Sequence, residues 1–261
     1  PAQIVAGIHI GDDLRRAVQR GRRACRRGLG PPRHTAAFPV EQIVKLSPTS
    51  TPMVADGPVW PARLLAVGSW WLMREVELGN ASLGDAAVMG IVATINLPAS
   101  KTDFAALGAA RSHACACGRG TGAPALLPPS LCPSCALNDQ IIWAVSKNMG
   151  PSDPLFPTEA GAFPSKASVI VIIEAAAQYL HLPLAAPSGA RLWGGHALRR
   201  GGAQYLACSG VEVWRIQALA RHSTGDPYLH RPHWDPYLHR PGGRCGSNHP
   251  GGPQRTPSNA G

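Results

Sequence analysis

The chain has 261 residues, with 25 Lys and Arg against 15 Asp and Glu and a formal net charge of +10. Only 15% of residues are charged, well below the roughly 25% of an ordinary soluble domain, so the excess comes from scarce acids and selective Arg usage. A hydrophobic fraction of 44% supports a sizeable core and excludes wholesale disorder, and the basic balance points to a polyanion partner.

In chain order, residues 11–33 read as a basic helix crowded with Arg15, Arg16, Arg20, Arg22, Arg23, Arg26 and Arg27, which ends at Gly28. The apolar spacing from Pro61 to Leu78 predicts one mostly buried helix, with Trp60 capping it. From Ala86 to Ala99 the pattern turns β-rich around Gly90 and predicts a strand or a small hairpin. A Gly- and Pro-rich loop over 118–131 separates two cysteine pairs. Helices are predicted over Asn138–Ser146, over Pro164–Leu182 with Ser165 near its start, over His196–Ser209 before Gly210, and over Val211–Arg221 with Val213, Ile216, Leu219 and Ala220 inward. The most apolar stretch, at Val169–Ile173, meets Glu174 and Gln178 long before it could span a bilayer, so no membrane partner is expected. The heptapeptide Asp-Pro-Tyr-Leu-His-Arg-Pro occurs at 226–232 and 235–241, too short a repeat for a solenoid, and the Gly- and Pro-rich tail 231–261 is expected to be disordered. The chain begins with Pro rather than Met, as a fragment or processed form would.

The cysteines are clustered. Cys115, Cys117, Cys132 and Cys135 are spaced as Cys-x-Cys and Cys-x-x-Cys, while Cys25, Cys208 and Cys245 stand apart. Such a set is a poor disulfide framework and a better local metal cluster; four thiolates, or three with His113, suit a structural tetrahedral zinc.

The most informative stretch is Gly194-Gly195-His196-Ala197-Leu198-Arg199, followed 23 residues after Arg199 by His222. Upstream, Arg74-Glu75-Val76-Glu77-Leu78 precedes Asp85, and Ser100-Lys101-Thr102 follows the predicted strands. The order Arg, Lys, His-x-x-Arg, His resembles the tyrosine recombinase (phage integrase) family over roughly residues 37–230. The resemblance implies a mainly α catalytic domain with a small antiparallel β-sheet, here carrying a Cys-rich insertion at 112–136. Residues 1–33 would be the basic remnant of an N-terminal DNA-clamping region.

The resemblance also implies roles. Arg74 and Arg199 would clamp the non-bridging oxygens of a DNA phosphodiester, since guanidinium matches phosphate geometry and stays charged. Lys101 would protonate the leaving 5′-oxygen, His196 would assist proton transfer at the nucleophile, and His222 would hold a phosphate oxygen. No cofactor is needed for that catalysis. Glu77 reads as a structural partner of a nearby Arg. The family places a nucleophilic tyrosine about eight or nine residues beyond the last His, forming a 3′-phosphotyrosyl bond. Here Tyr228 and Tyr237 follow His222 by 6 and 15 residues, and Pro227 interrupts the local helix; Tyr228 is the preferred candidate. The implied partner is double-stranded DNA, with a homo-tetramer on two duplexes, in an intracellular setting (the nucleus in a eukaryote). Arg199→Ala is expected to abolish strand capture with the fold intact. A second reading takes residues 203–222 as a helix-turn-helix of a non-catalytic DNA-binding protein.

Overall fold

The computed structural model describes residues 35–97, 108–119, 122 and 124–220. The basic stretch 1–33, Lys101, His222, Tyr228, Tyr237 and the tail 231–261 lie outside the described residues. Among the described residues are six α-helices and one three-stranded antiparallel sheet, the mainly α architecture expected. None of these helices is long and apolar enough to cross a membrane.

Helix α1 (Pro61–Trp70) is the spine of the core. Pro61 suits its first turn because the missing amide would have no helical partner there, and Trp60 is its N-cap residue. Leu64, Leu65, Ala66, Val67, Gly68 and Ser69 are all buried, so the helix is enclosed rather than amphipathic. It does not continue to Leu78 as the apolar spacing predicts. The chain breaks over Trp71–Arg74, with Leu72 in the left-handed region at φ 49°, and resumes as α2 (Glu75–Asn80). The break sends neighbouring side chains into different clusters. Trp71 and Met73 enter the main core, while Leu72 packs with Leu206, Ile216 and Ala220. Burial on both sides offsets the cost of a non-glycine residue at positive φ.

The hairpin expected near Gly90 forms as β1 (Ala86–Met89) and β2 (Val92–Leu97), paired from Met89↔Val92 to Ala86↔Ile95, with Gly90 at φ 57° in the turn. A third strand, β3 (Ala109–Ala114), adds antiparallel to β2. Its sequence, Ala-Ala-Arg-Ser-His-Ala, carries no β-branched residue and gives no strand signal. Tertiary bonds hold it. The Trp71 indole donates to the Arg111 carbonyl at 2.9 Å, Arg111 donates back to the Trp71 carbonyl, and His113 Nε2 lies 2.9 Å from the Trp70 carbonyl.

Helix α3 (Pro133–Ser146) starts five residues before the predicted Asn138, because Pro133 opens it directly after Cys132. Helix α4 (Lys166–Tyr179) is capped by Ser165, whose hydroxyl accepts from the Ser168 amide at 3.0 Å. Helix α5 (Ala197–Cys208) crosses α1 at close range. A Cβ at Gly202 would overlap the Ser69 carbonyl, and one at Gly201 would overlap the Phe38 backbone, so both positions require glycine. Helix α6 (Val213–Ala220) follows a turn containing Gly210. Ile216 and Ala220 face inward as expected, but Val213 and Trp214 are exposed. The turn of the helix-turn-helix reading is therefore present, yet its first helix is sealed into the core through Gly201 and Gly202.

Candidate active site

The break between α1 and α2 positions the first box. Arg74 is the N-cap residue of α2, and its backbone amide donates to Glu77 Oε2 at 2.7 Å, one half of a capping box. The Arg74 side chain is thereby left to other work, and its Nε is buried without a hydrogen-bond partner. A buried unsatisfied donor costs about 1–3 kcal/mol, which marks it as a point where an acceptor would bind favourably.

The second box arrives at the same place. The Glu75 amide donates to the Gly195 carbonyl at 3.2 Å, joining the start of α2 to the turn before α5. The approach is so close that a Cβ at Gly195 would overlap the Glu75 carboxylate. His196 then caps α5 and is exposed, and Arg199 occupies the first turn.

Arg199 is buried, its side chain 4% exposed. It donates to the Leu72 carbonyl at 3.3 Å and to the Ala220 carbonyl, and it faces Glu77 at 3.8 Å. One guanidinium thus fastens the α1–α2 break, the end of α6 and the capping carboxylate of α2. Glu77 has the structural role the sequence suggests. Asp85 is also structural, accepting from the Ser82 amide and hydroxyl at 2.9 and 2.8 Å.

The electrostatics of His196 record the convergence. Its pKa is held below the ordinary value, first by desolvation where protein covers the ring and then by the charges of Arg74 and Arg199; Glu75 and Glu77 partly oppose this. The imidazole is therefore biased towards the neutral, proton-accepting form. The structure thus brings together Arg74, His196 and Arg199, from segments 122 residues apart at His196. Two residues of the site escaped sequence reading. Glu75 is a buried carboxylate beside the turn, and Lys166, at the start of α4, pairs with it at 3.2 Å. Glu75 had a signal in its adjacency to Arg74, whereas Lys166 had none.

The cysteines form a separate cluster, beyond β3 and at the start of α3. The Sγ atoms of Cys115, Cys117, Cys132 and Cys135 all lie within 4.8 Å of one another, and they could hold a metal ion. His113, the alternative ligand, is committed instead to the Trp70 carbonyl, its ring edge-on to Trp70 and Trp71. Burial pushes the Cys135 and Cys115 thiols up. It opposes ionisation of Cys117 too, but bonds from the Arg119 backbone and the neighbouring thiols bring that group to about 7.

No protein-family model matches the sequence, and no curated protein matches it. Solved structures do. A lambda integrase dimer bound to a COC′ core site matches 85% of this chain and 67% of its own, with a TM-score of 0.50 at 15% identity. The chain has the fold of a tyrosine recombinase catalytic domain. Two further matches are XerH bound to its difH substrate, at TM-score 0.47, 16% identity and 73% of this chain, and XerA recombinase, at 0.43, 16% and 74%. The chain spans 48% of the XerH chain and 58% of the XerA chain. Within this recombinase fold, Arg74 sits at the α1–α2 break, while His196 and Arg199 open α5.

Proposed function

We propose that this chain binds double-stranded DNA and breaks and rejoins a strand through a 3′-phosphotyrosyl intermediate. The observation that carries the reading is the meeting of Arg74, Arg199 and His196 where α2 and α5 begin, with the Arg74 Nε donor unmatched by any acceptor. Fold likeness to a DNA-bound integrase supports it.

In this reading the phosphodiester lies across Arg74 and Arg199. Their guanidinium donors bind the non-bridging oxygens and offset the charge gained as phosphorus becomes pentacoordinate, each donor being worth about 3 kcal/mol. The leucine and alanine carbonyls that fix Arg199 make its charge preorganised, so little reorganisation is paid during the reaction. The Tyr228 hydroxyl attacks phosphorus and its proton passes towards neutral His196. The bond to the 5′-oxygen breaks, and Lys101 protonates that oxygen. His222 holds a phosphate oxygen. Rejoining reverses these steps, with the 5′-hydroxyl displacing Tyr228. Four copies of the chain acting on two duplexes would exchange strands.

Equilibrium binding of labelled duplex DNA at several salt concentrations tests the partner. Affinity should fall linearly on a log–log scale with salt, and Arg74→Ala should flatten that slope by about one phosphate contact. Binding that is absent, or indifferent to salt and to Arg74, would overturn the proposal.

A further inference from the structure

We propose that Cys115, Cys117, Cys132 and Cys135 bind one zinc ion in a closed tetrahedral site, and that this ion locks a collar around Trp70 and Trp71. The inference stands independently of the DNA reaction. With zinc–sulfur bonds of about 2.3 Å, the sulfurs of a tetrahedral site stand about 3.8 Å apart. The sulfurs here are separated by 3.2 Å for Cys117–Cys135, 3.5 Å for Cys115–Cys117 and 3.7 Å for Cys132–Cys115, and the whole set lies within 4.8 Å. A cluster of two irons would hold its sulfur pairs further apart. All four are free thiols rather than disulfides.

The surroundings fit thiolate ligands. Cys132, Cys117 and Cys135 are buried and pack against one another, with Cys115 and Ala116 alongside. The Ala116 amide donates to Cys132 Sγ at 3.3 Å, an outer contact that stabilises an anionic sulfur. Gly118, at φ 75°, turns the chain directly after Cys117, and Pro133 opens α3 between Cys132 and Cys135. Soft thiolates favour zinc over magnesium or calcium. Four protein ligands leave no open coordination position, so the ion's role is structural.

What the ion would secure is specific. The chain from β3 to α3 wraps the end of α1: His113 meets the Trp70 carbonyl, the Trp70 indole donates to the Leu131 carbonyl at 2.7 Å, and Arg111 and Trp71 exchange bonds. The amides of Leu126 and Leu127 both donate to the Ala116 carbonyl, closing the loop on itself. Zinc would join the two ends of this collar around Trp70 and Trp71, which precede Arg74 by four and three residues.

The test is elemental analysis and native mass spectrometry of the full chain, purified under reducing conditions. One zinc per chain is expected, with loss of zinc in Cys132→Ser and Cys135→Ser. Because those variants can fail to fold, the wild-type chain is also titrated with a mercurial reagent beside a zinc indicator. Zinc should appear as the cluster thiols are consumed, with the melting temperature falling, and it should recover when excess thiol strips the mercurial and zinc, but not magnesium, is added back. Cobalt(II) should replace zinc and give the intense sulfur-to-cobalt band of a tetrahedral thiolate site. A wild-type chain that carries no zinc and takes up no cobalt would overturn the proposal, as would bound iron or peptide masses showing a disulfide among these four cysteines.

Discussion

Arg199→Ala deletes a guanidinium that is 4% exposed, donates to the Leu72 and Ala220 carbonyls and faces Glu77 at 3.8 Å. The variant leaves two carbonyls short of a charged donor and removes the cation 3.8 Å from a largely buried carboxylate. Breaking a buried pair in this way costs about 3–5 kcal/mol, a large share of a typical folding free energy. Arg74→Ala is a different perturbation. The cap of α2 uses the Arg74 backbone amide, which alanine retains, and the deleted Nε has no partner to lose. Its cost should be within about 0.5 kcal/mol. Urea unfolding followed by tryptophan fluorescence measures both, with midpoints compared at constant slope. The expectation that Arg199→Ala leaves the fold intact is thus replaced by its opposite, and Arg74→Ala becomes the clean probe of the site. Equal destabilisation by the two variants, or a near-neutral Arg199→Ala, would refute this division of roles.

Gly202→Ala should lower stability by about 2 kcal/mol although alanine gains about 1 kcal/mol in helix propensity, because the Cβ overlaps the Ser69 carbonyl; thermal melts give the sign. Ser165→Ala should cost about 1 kcal/mol by removing the cap of α4, read from urea midpoints. His196 has a folded pKa below its unfolded value, so the unfolded chain binds the proton more readily. Its contribution to stability is therefore complete above the ordinary value of about 6.5 and is lost as pH falls below it. NMR titration of the ring should show the lowered midpoint, and strand cleavage should hold steady somewhat below that ordinary value before declining. An unshifted midpoint would remove the electrostatic argument for neutral His196.

The legible parts of the molecule were those fixed by short-range pattern. The cap at Ser165, the helix start at Pro61, the glycine turn of the first hairpin and the spacing of the cysteines all act over a few residues, and each has its expected place. The Arg74 and His196–Arg199 boxes were legible as motifs, and their meeting is a tertiary fact. It depends on the Glu75–Gly195 backbone bond and on an α1–α2 break that apolar periodicity conceals. That break was misread because Trp71, Leu72 and Met73 are all buried, and an unbroken apolar run looks the same whether it stays helical or turns. Strand β3 was missed for the converse reason: its residues have no intrinsic strand preference, and its partners are β2 and two tryptophans distant in sequence. Trp214 is 60% exposed, since α6 is a short helix that buries only Ile216 and Ala220.

The central claim, that this site breaks DNA strands, is tested most directly by incubating the full chain with nicked duplexes of varied sequence. The nick lets the short 5′-hydroxyl fragment diffuse away and traps any covalent intermediate. The account predicts a denaturation-resistant protein–DNA adduct that maps by peptide mass spectrometry to Tyr228, is lost in Tyr228→Phe, and is strongly reduced in Arg74→Ala at unchanged stability. A folded chain that binds the duplex but forms no adduct on any sequence, or an adduct indifferent to Arg74, would contradict it.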